Sequence, residues 1–261
     1  MAAARGNATE GLAWLGRTPE TQGSPLFWLL RALARFLAFV VFRFRVETTG
    51  QEHIPSGGYL VVAAVHRGWM DPFLIMHALP PEPRIWFLGS GPTAFDRRWK
   101  EWLLHRVGGM LPVWRGGVGM DQHVESARAV LAAGGVFVLV PEGGISGPPD
   151  RPSAFRVGSA LIALRTGAPI LPLAIAGSGE LYLGRRLATR ILPATSARAL
   201  LADEWGGEPP PPGTRDELDL ARDLSERLHD LLAPVVAELY LRTADPPGRP
   251  RRLRRLTRLF L

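Results

Sequence analysis

The chain of 261 residues carries a formal charge of +7, almost all of its cations being arginine, since Lys100 is the only lysine. Guanidinium pairs with phosphate in a forked, bidentate way, so an anionic partner is expected, either nucleic acid or phospholipid. An apolar share of 46% with eight tryptophans favours a bilayer surface over nucleic acid, and the absence of cysteine excludes disulfides, thiolate catalysis and zinc–thiolate sites.

Residues 1–23 are small and polar with no apolar core of a signal peptide, and are predicted to be disordered. The segment 24–45, SPLFWLLRALARFLAFVVFRFR, follows. Its longest unbroken apolar run, 36–42, falls short of the ~20 residues that span a bilayer. Arg31 and Arg35 lie mid-segment, and on a helical wheel they share one sector with Arg45. The pattern predicts an amphipathic helix lying in the membrane interface, its arginines reaching for lipid phosphates. A core helix carrying arginines and a tilted single span are the alternatives.

From residue 46 to 242 the chain reads as one α/β domain. Strands are predicted near 44–48, 60–65, 85–89, 110–113, 136–140 and 170–174. Helices are predicted at 72–79, 97–107, 122–133 and 153–165, with Val124, Ala127, Val130 and Leu131 on one face of the third. Valine-rich strands alternating with helices indicate a central, largely parallel mixed sheet flanked by helices. A proline-rich loop, 203–215, lies inside the domain. Thr214 and Glu217 have capping-box spacing and open a helix to about residue 242, with Leu218, Leu224, Leu228, Leu231 and Leu232 as its apolar residues. The remainder, 243–261, ends in RRLRRLTRLFL. Arg251, Arg254, Arg255 and Arg258 share one side of a wheel and Leu253, Leu256, Leu259 and Phe260 the other, the pattern of a basic amphipathic membrane-surface tail. A solvated tail is the alternative. The leucine face argues against a nucleic-acid arm.

The stretch YLVVAAVHRGWMDPF, 59–73, carries the strongest chemical signal. A buried strand delivers His66 into a short turn, and Asp71-Pro72 supplies a helix cap and a first helical residue, so that a helix should open near Phe73. A carboxylate five residues from a histidine can fold back onto the imidazole and fix its tautomer, as general-base catalysis needs. No G-x-S-x-G elbow, P-loop, H-E-x-x-H pair or metal-ligand spacing occurs. His66 would therefore activate a hydroxyl of the substrate. Arg115, after the 110–113 strand, and Glu142-Gly143, after the 136–140 strand, sit where ligands bind at the carboxyl ends of an α/β sheet.

These blocks resemble the glycerolipid acyltransferase family, the phosphate acyltransferases typified by lysophosphatidic acid acyltransferase. His66 and Asp71 match its H-x4-D block, and Gly109 to Arg115 its glycine–apolar–arginine block. Pro141, Glu142, Gly143 and Ser146 match part of its Phe-Pro-Glu-Gly-Thr-Arg-Ser block, and the strand around Pro172 its fourth. Phe155, Arg156 and Gly158 echo its Phe-Lys-x-Gly segment. The resemblance implies transfer of an acyl group from acyl-CoA or acyl-carrier protein to a hydroxyl of a glycerolipid such as 1-acyl-glycerol 3-phosphate, without a bound cofactor. It implies His66 and Asp71 as catalytic residues, and Arg115, Glu142, Gly143, Ser146 and Arg156 as the acceptor site. Taken with the basic segments, it implies a peripheral or monotopic protein on an anionic membrane at its cytoplasmic face. Gly144 and Ile145 replace the family's Thr-Arg. That departure leaves two alternatives open: a lipid alcohol without a phosphomonoester as acceptor, and a non-catalytic lipid-binding relative.

Overall fold

The computed structural model describes residues 22–90, 97, 99, 102, 109–113, 119–145, 147–245, 252–253 and 256–257. Within them, β1 (Arg45–Thr49), β2 (Tyr59–Ala64), β3 (Ile85–Ser90), β4 (Met110–Val113), β5 (Val136–Leu139), β6 (Ile170–Ala176) and β7 (Arg186–Ile191) form one sheet in the order β1-β7-β6-β2-β5-β3-β4. From β6 to β4 all neighbours are parallel, while β7 runs antiparallel to β6 and carries β1 parallel to itself. The sheet is thus mixed and largely parallel, as the sequence predicts.

The uninterrupted apolar run of β2 follows from its central place. Leu60, Val62 and Ala64 point into one core and Tyr59, Val61 and Ala63 into the other, so neither side of the strand meets water. Pro172 is tolerated inside β6 because β7 ends beside it: Leu173 pairs with Ile191, and the Pro172 carbonyl accepts from the Leu192 amide beyond that end.

One face of the sheet is covered by α3 (Met120–Ala132), α4 (Val157–Thr166) and α6 (Arg215–Thr243), with the short α5 (Ala197–Leu200) beside them. On α6 the buried stripe is Leu220, Leu224, Leu228, Leu232 and Val236, four residues apart, whereas Leu218 is exposed. The expected apolar face therefore shifts by part of a turn. Pro234 lies within α6 at an exposed position, and the carbonyl its missing N–H does not serve belongs to the exposed Asp230.

The other face carries α1 (Pro25–Phe36), continued by a π-helical turn at Leu37–Val41, and α2 (Asp71–Ala78). Here the structure corrects the predicted polarity of the first helix. Arg31 donates to the Met76 carbonyl at 3.0 Å and the exposed Arg35 contacts His77 Nδ1 at 3.1 Å, so both arginines engage α2 at its carboxyl-terminal turn. Leu29, Leu33, Phe36 and Val40 form the outer stripe, 65%, 48%, 53% and 58% exposed. The helix also stops at Val41, so Arg45 belongs to β1. Among the described residues no helix is long and apolar enough to cross a membrane.

The described part of the tail docks on this same face. Leu256 is buried in the core, its carbonyl accepts from the Trp69 indole at 3.0 Å, and Thr257 Oγ1 accepts from the Leu181 amide at 2.8 Å. The expected single apolar face of the tail is therefore divided, with Leu256 inward and Leu253 exposed. Arg251, Arg254, Arg255, Arg258, Leu259 and Phe260 lie outside the described residues, as do 1–21 and most of the helix expected at 97–107.

Candidate active site

His66 lies two residues past the carboxyl end of β2, beside the end of β5 that leads to Glu142, because β2 and β5 are neighbours in the sheet. The strand order thus brings together two residues 76 positions apart, and His66 N–H donates to Glu142 Oε1 at 3.0 Å. Arg115 lies outside the described residues. The strand before it, β4, is three steps from β2, about 14 Å at the ~4.8 Å strand spacing. Ser146 is also outside the described residues.

The turn between β2 and α2 is wrapped around Asp71. Its Oδ2 lies 2.9 Å from His66 Nδ1 and accepts from the amides of Arg67 at 2.5 Å and Gly68 at 2.8 Å. The Asp71 side chain is almost wholly buried and the imidazole is about a quarter exposed, 2% and 24%. With a carboxylate accepting at Nδ1, the proton sits there and Nε2 keeps its lone pair. The Asp71-Pro72 pattern predicts Asp71 as the cap of the helix. Instead Asp71 is the first residue of α2, Met70 stands at the cap position, and the carboxylate caps the preceding turn. Its geometry serves the histidine.

Glu142, expected at the acceptor site, is turned inward. Its side chain has no exposed surface, and both oxygens are taken by the protein: Oε1 by His66 N–H, Oε2 by Arg67 Nη1 at 3.3 Å and Ser153 N–H at 3.1 Å. This also explains why α4 begins at Val157 rather than near Ser153. The Ser153 amide is held by Glu142, and the Arg156 amide donates to the Pro141 carbonyl at 2.8 Å, so 153–156 stays outside the helix. Gly143 adopts φ +68°, a left-handed backbone that favours glycine, and a Cβ there would meet only the movable side chain of Arg156. The exposed Arg156 side chain lies against this turn.

Arg67 is the site residue that sequence reasoning missed. Its guanidinium is nearly buried, bonded to the His66, Pro148 and Arg151 carbonyls and to Glu142. Burial draws its pKa below the ordinary value, against the opposing charges of Glu142, Asp71 and Asp150. A lone arginine in a turn gives no sign of that destination; only its place directly after the histidine could have drawn notice.

Beside the turn, Trp69, Met70 and Phe73 line an apolar cavity of about 200 Å³ together with Phe27, Ala34 and Phe42.

Comparison with known proteins gives this geometry a setting. A family model described as Acyltransferase matches residues 45–176, just over half of the chain. Three curated mycobacterial proteins, one from Mycobacterium bovis and two from strains of Mycobacterium tuberculosis, are 32% identical over 170 residues, 59% of this chain. Each is described as an uncharacterized protein, and the chain spans less than half of their length, 43%. In fold, the chain is similar to the crystal structure of the 1-acyl-sn-glycerophosphate (LPA) acyltransferase PlsC from Thermotoga maritima. That likeness has a TM-score of 0.55 at 19% identity and covers 91% of this chain and 97% of the other.

Proposed function

Because the chain belongs to the acyltransferase family, we propose that it moves a fatty acyl group from an acyl thioester, acyl-CoA or acyl-carrier protein, to a hydroxyl of a glycerolipid such as 1-acyl-glycerol 3-phosphate. The observation that carries this reading is the 2.9 Å contact between His66 Nδ1 and Asp71 Oδ2 at the mouth of β2. His66 Nε2 takes the proton of the acceptor hydroxyl, and the oxygen attacks the thioester carbonyl. The C–S bond of the tetrahedral adduct then breaks, and the imidazolium returns its proton to the departing thiolate. Asp71 stabilises the imidazolium meanwhile. Acceptor and thioester must be held together for this, which supplies much of the rate.

The acceptor side rests on Arg156 and on Arg115. Arg156, exposed against the Gly143 turn, is one cation for an acceptor phosphate. The apolar cavity beside Trp69 and Phe73 suits an acyl chain. The outer stripe of α1 suits the interface of an anionic membrane, with the protein peripheral or monotopic at its cytoplasmic face. A second acceptor class is favoured by one feature. Where the family has Thr-Arg, Gly144 and an exposed Ile145 stand, which suits a lipid alcohol without a phosphomonoester.

The test is a panel of acceptors with one labelled acyl-CoA: 1-acyl-glycerol 3-phosphate, glycerol 3-phosphate, neutral lysophospholipids and plain long-chain alcohols. The wild-type chain acylates at least one of them, and His66→Ala lowers that turnover by about 10²–10⁴-fold while the protein stays folded. Undiminished turnover in His66→Ala would remove His66 as the base. Label released as free fatty acid without acceptor would make the protein a thioesterase instead.

A further inference from the structure

Asp71 fixes the imidazole of His66, yet nothing in that contact fixes the turn relative to the loop after β5, where the acceptor is read to bind. The backbone of His66 is held from both sides by two other charged groups. Its amide donates to Glu142 Oε1 at 3.0 Å, and its carbonyl accepts from Arg67 Nη1 at 3.1 Å. Arg67 and Glu142 then meet each other at 3.3 Å. Arg67 Nη2 goes on to the carbonyls of Pro148 at 2.5 Å and Arg151 at 2.9 Å, and Glu142 Oε2 to the Ser153 amide at 3.1 Å. The exchange is reciprocal: the first loop sends an arginine into the second, and the second sends a carboxylate into the first. A buried charge is tolerated only when paired and hydrogen-bonded, so neither partner can leave alone. Because the carboxylate has no exposed surface, it is not available to a ligand.

We propose that Arg67 and Glu142 form a buried clamp that positions His66 against the 141–153 loop, Glu142 acting through the His66 backbone rather than on the acceptor. The proposal rests on His66 being the general base. Both residues are positioning residues: the clamp sets the distance between base and acceptor, and a shift of about 1 Å there lowers turnover on the order of 10²-fold.

The experiment uses the full chain with Glu142→Gln, which keeps the shape, Arg67→Lys, which keeps the charge but loses the fork, and the double variant. The probes are oleoyl-CoA and whichever acceptor in the panel the wild-type chain acylates. Each single variant is expected to lose kcat on the order of 10²-fold with little change in KM for the acceptor, and the double variant to be no worse than the poorer single. A higher KM with kcat retained would make Glu142 an acceptor ligand and overturn the clamp, as would losses that multiply in the double variant. Hydrogen exchange gives a readout independent of turnover. Both single variants are expected to exchange faster at the His66 amide and across 141–153, and unchanged protection there overturns the proposal whatever the kinetics. His66→Ala run alongside separates the two ideas: if it keeps full activity, the general-base reading fails, while the exchange result still decides whether the clamp exists.

Discussion

One oxygen of Asp71 serves His66 Nδ1 and the amides of Arg67 and Gly68 together. Function and local folding are therefore joined in a single carboxylate. Asp71→Asn would turn an amide donor or a neutral acceptor toward three donors, and the imidazolium would lose its counter-charge. Turnover is expected to fall by about 10²–10⁴-fold, and stability by about 1–3 kcal/mol, because two partly buried amides lose a charged acceptor. Steady-state kinetics and denaturant unfolding measure the two losses, and a variant that keeps its turnover would make Asp71 merely structural. The pairing of His66 with Asp71 was legible from the sequence, since five residues across a tight turn limit where the carboxylate can go. The employment of Glu142 was not. Its nearest chain neighbours suggest a ligand at a strand mouth, and only the adjacency of β2 and β5 shows that the carboxylate is consumed by a backbone amide 76 residues away.

At the scale of elements, the long α6 is tied to the body of the domain by Glu217. The capping box expected at Thr214 forms in altered shape: Thr214 Oγ1 accepts from the Glu217 amide at 3.3 Å, while Glu217 Oε2 reaches back to the Gly213 amide at 2.7 Å. The same carboxylate takes a two-pronged bond from Arg165 of α4, at 2.6 and 2.8 Å. That Arg165 bond chiefly holds the Glu217 carboxyl below its ordinary value of 4.5. A carboxyl with a depressed folded pKa contributes stability that is fully present above the ordinary value and is lost as the pH falls through the lower folded one. Glu217→Gln should therefore flatten the acid side of the stability profile, and Glu217→Ala should lower stability at neutral pH by about 1–3 kcal/mol, since Arg165 loses its buried partner but keeps Asp121 at 2.5 Å. Denaturant unfolding between pH 3 and 7 checks both; an unchanged acid slope in Glu217→Gln would refute the linkage. The strand β7 was not legible at all. Its sequence, RLATRI, puts two arginines in six residues, and it is a strand because Arg190 finds Glu238 on α6 and Thr189 finds Thr48 on β1.

For the whole molecule, the orientation of α1 decides which surface is left apolar. Arg31 and Arg35 are spent on the carboxyl-terminal turn of α2, where burial and the two arginines also push the His77 pKa below its ordinary value. What faces outward is Leu29, Leu33, Phe36 and Val40. If this stripe meets a bilayer, Leu33→Glu with Val40→Glu should release the protein from anionic vesicles in a sedimentation assay, with its unfolding midpoint little altered since both positions are exposed. Arg31→Ala should instead lower the midpoint, because it leaves the Met76 carbonyl without that donor. Release by Arg31→Ala and retention by the double glutamate variant would restore the helix to the polarity its wheel suggests.

The sequence by itself determined the α/β class, the buried central strands and the His66–Asp71 pair. Each of these rests on information within one short window: an unbroken apolar run demands burial on both sides, and a turn of four residues fixes the reach of a carboxylate. The tertiary structure alone decided which way α1 faces, that Leu256 returns to the core, and that Arg67 and Glu142 close on each other behind His66. Those outcomes depend on strand order and helix placement. A helical wheel has two sides but no indication of which one another helix will cover, and a buried ion pair is visible only when both of its partners have been brought to the same place.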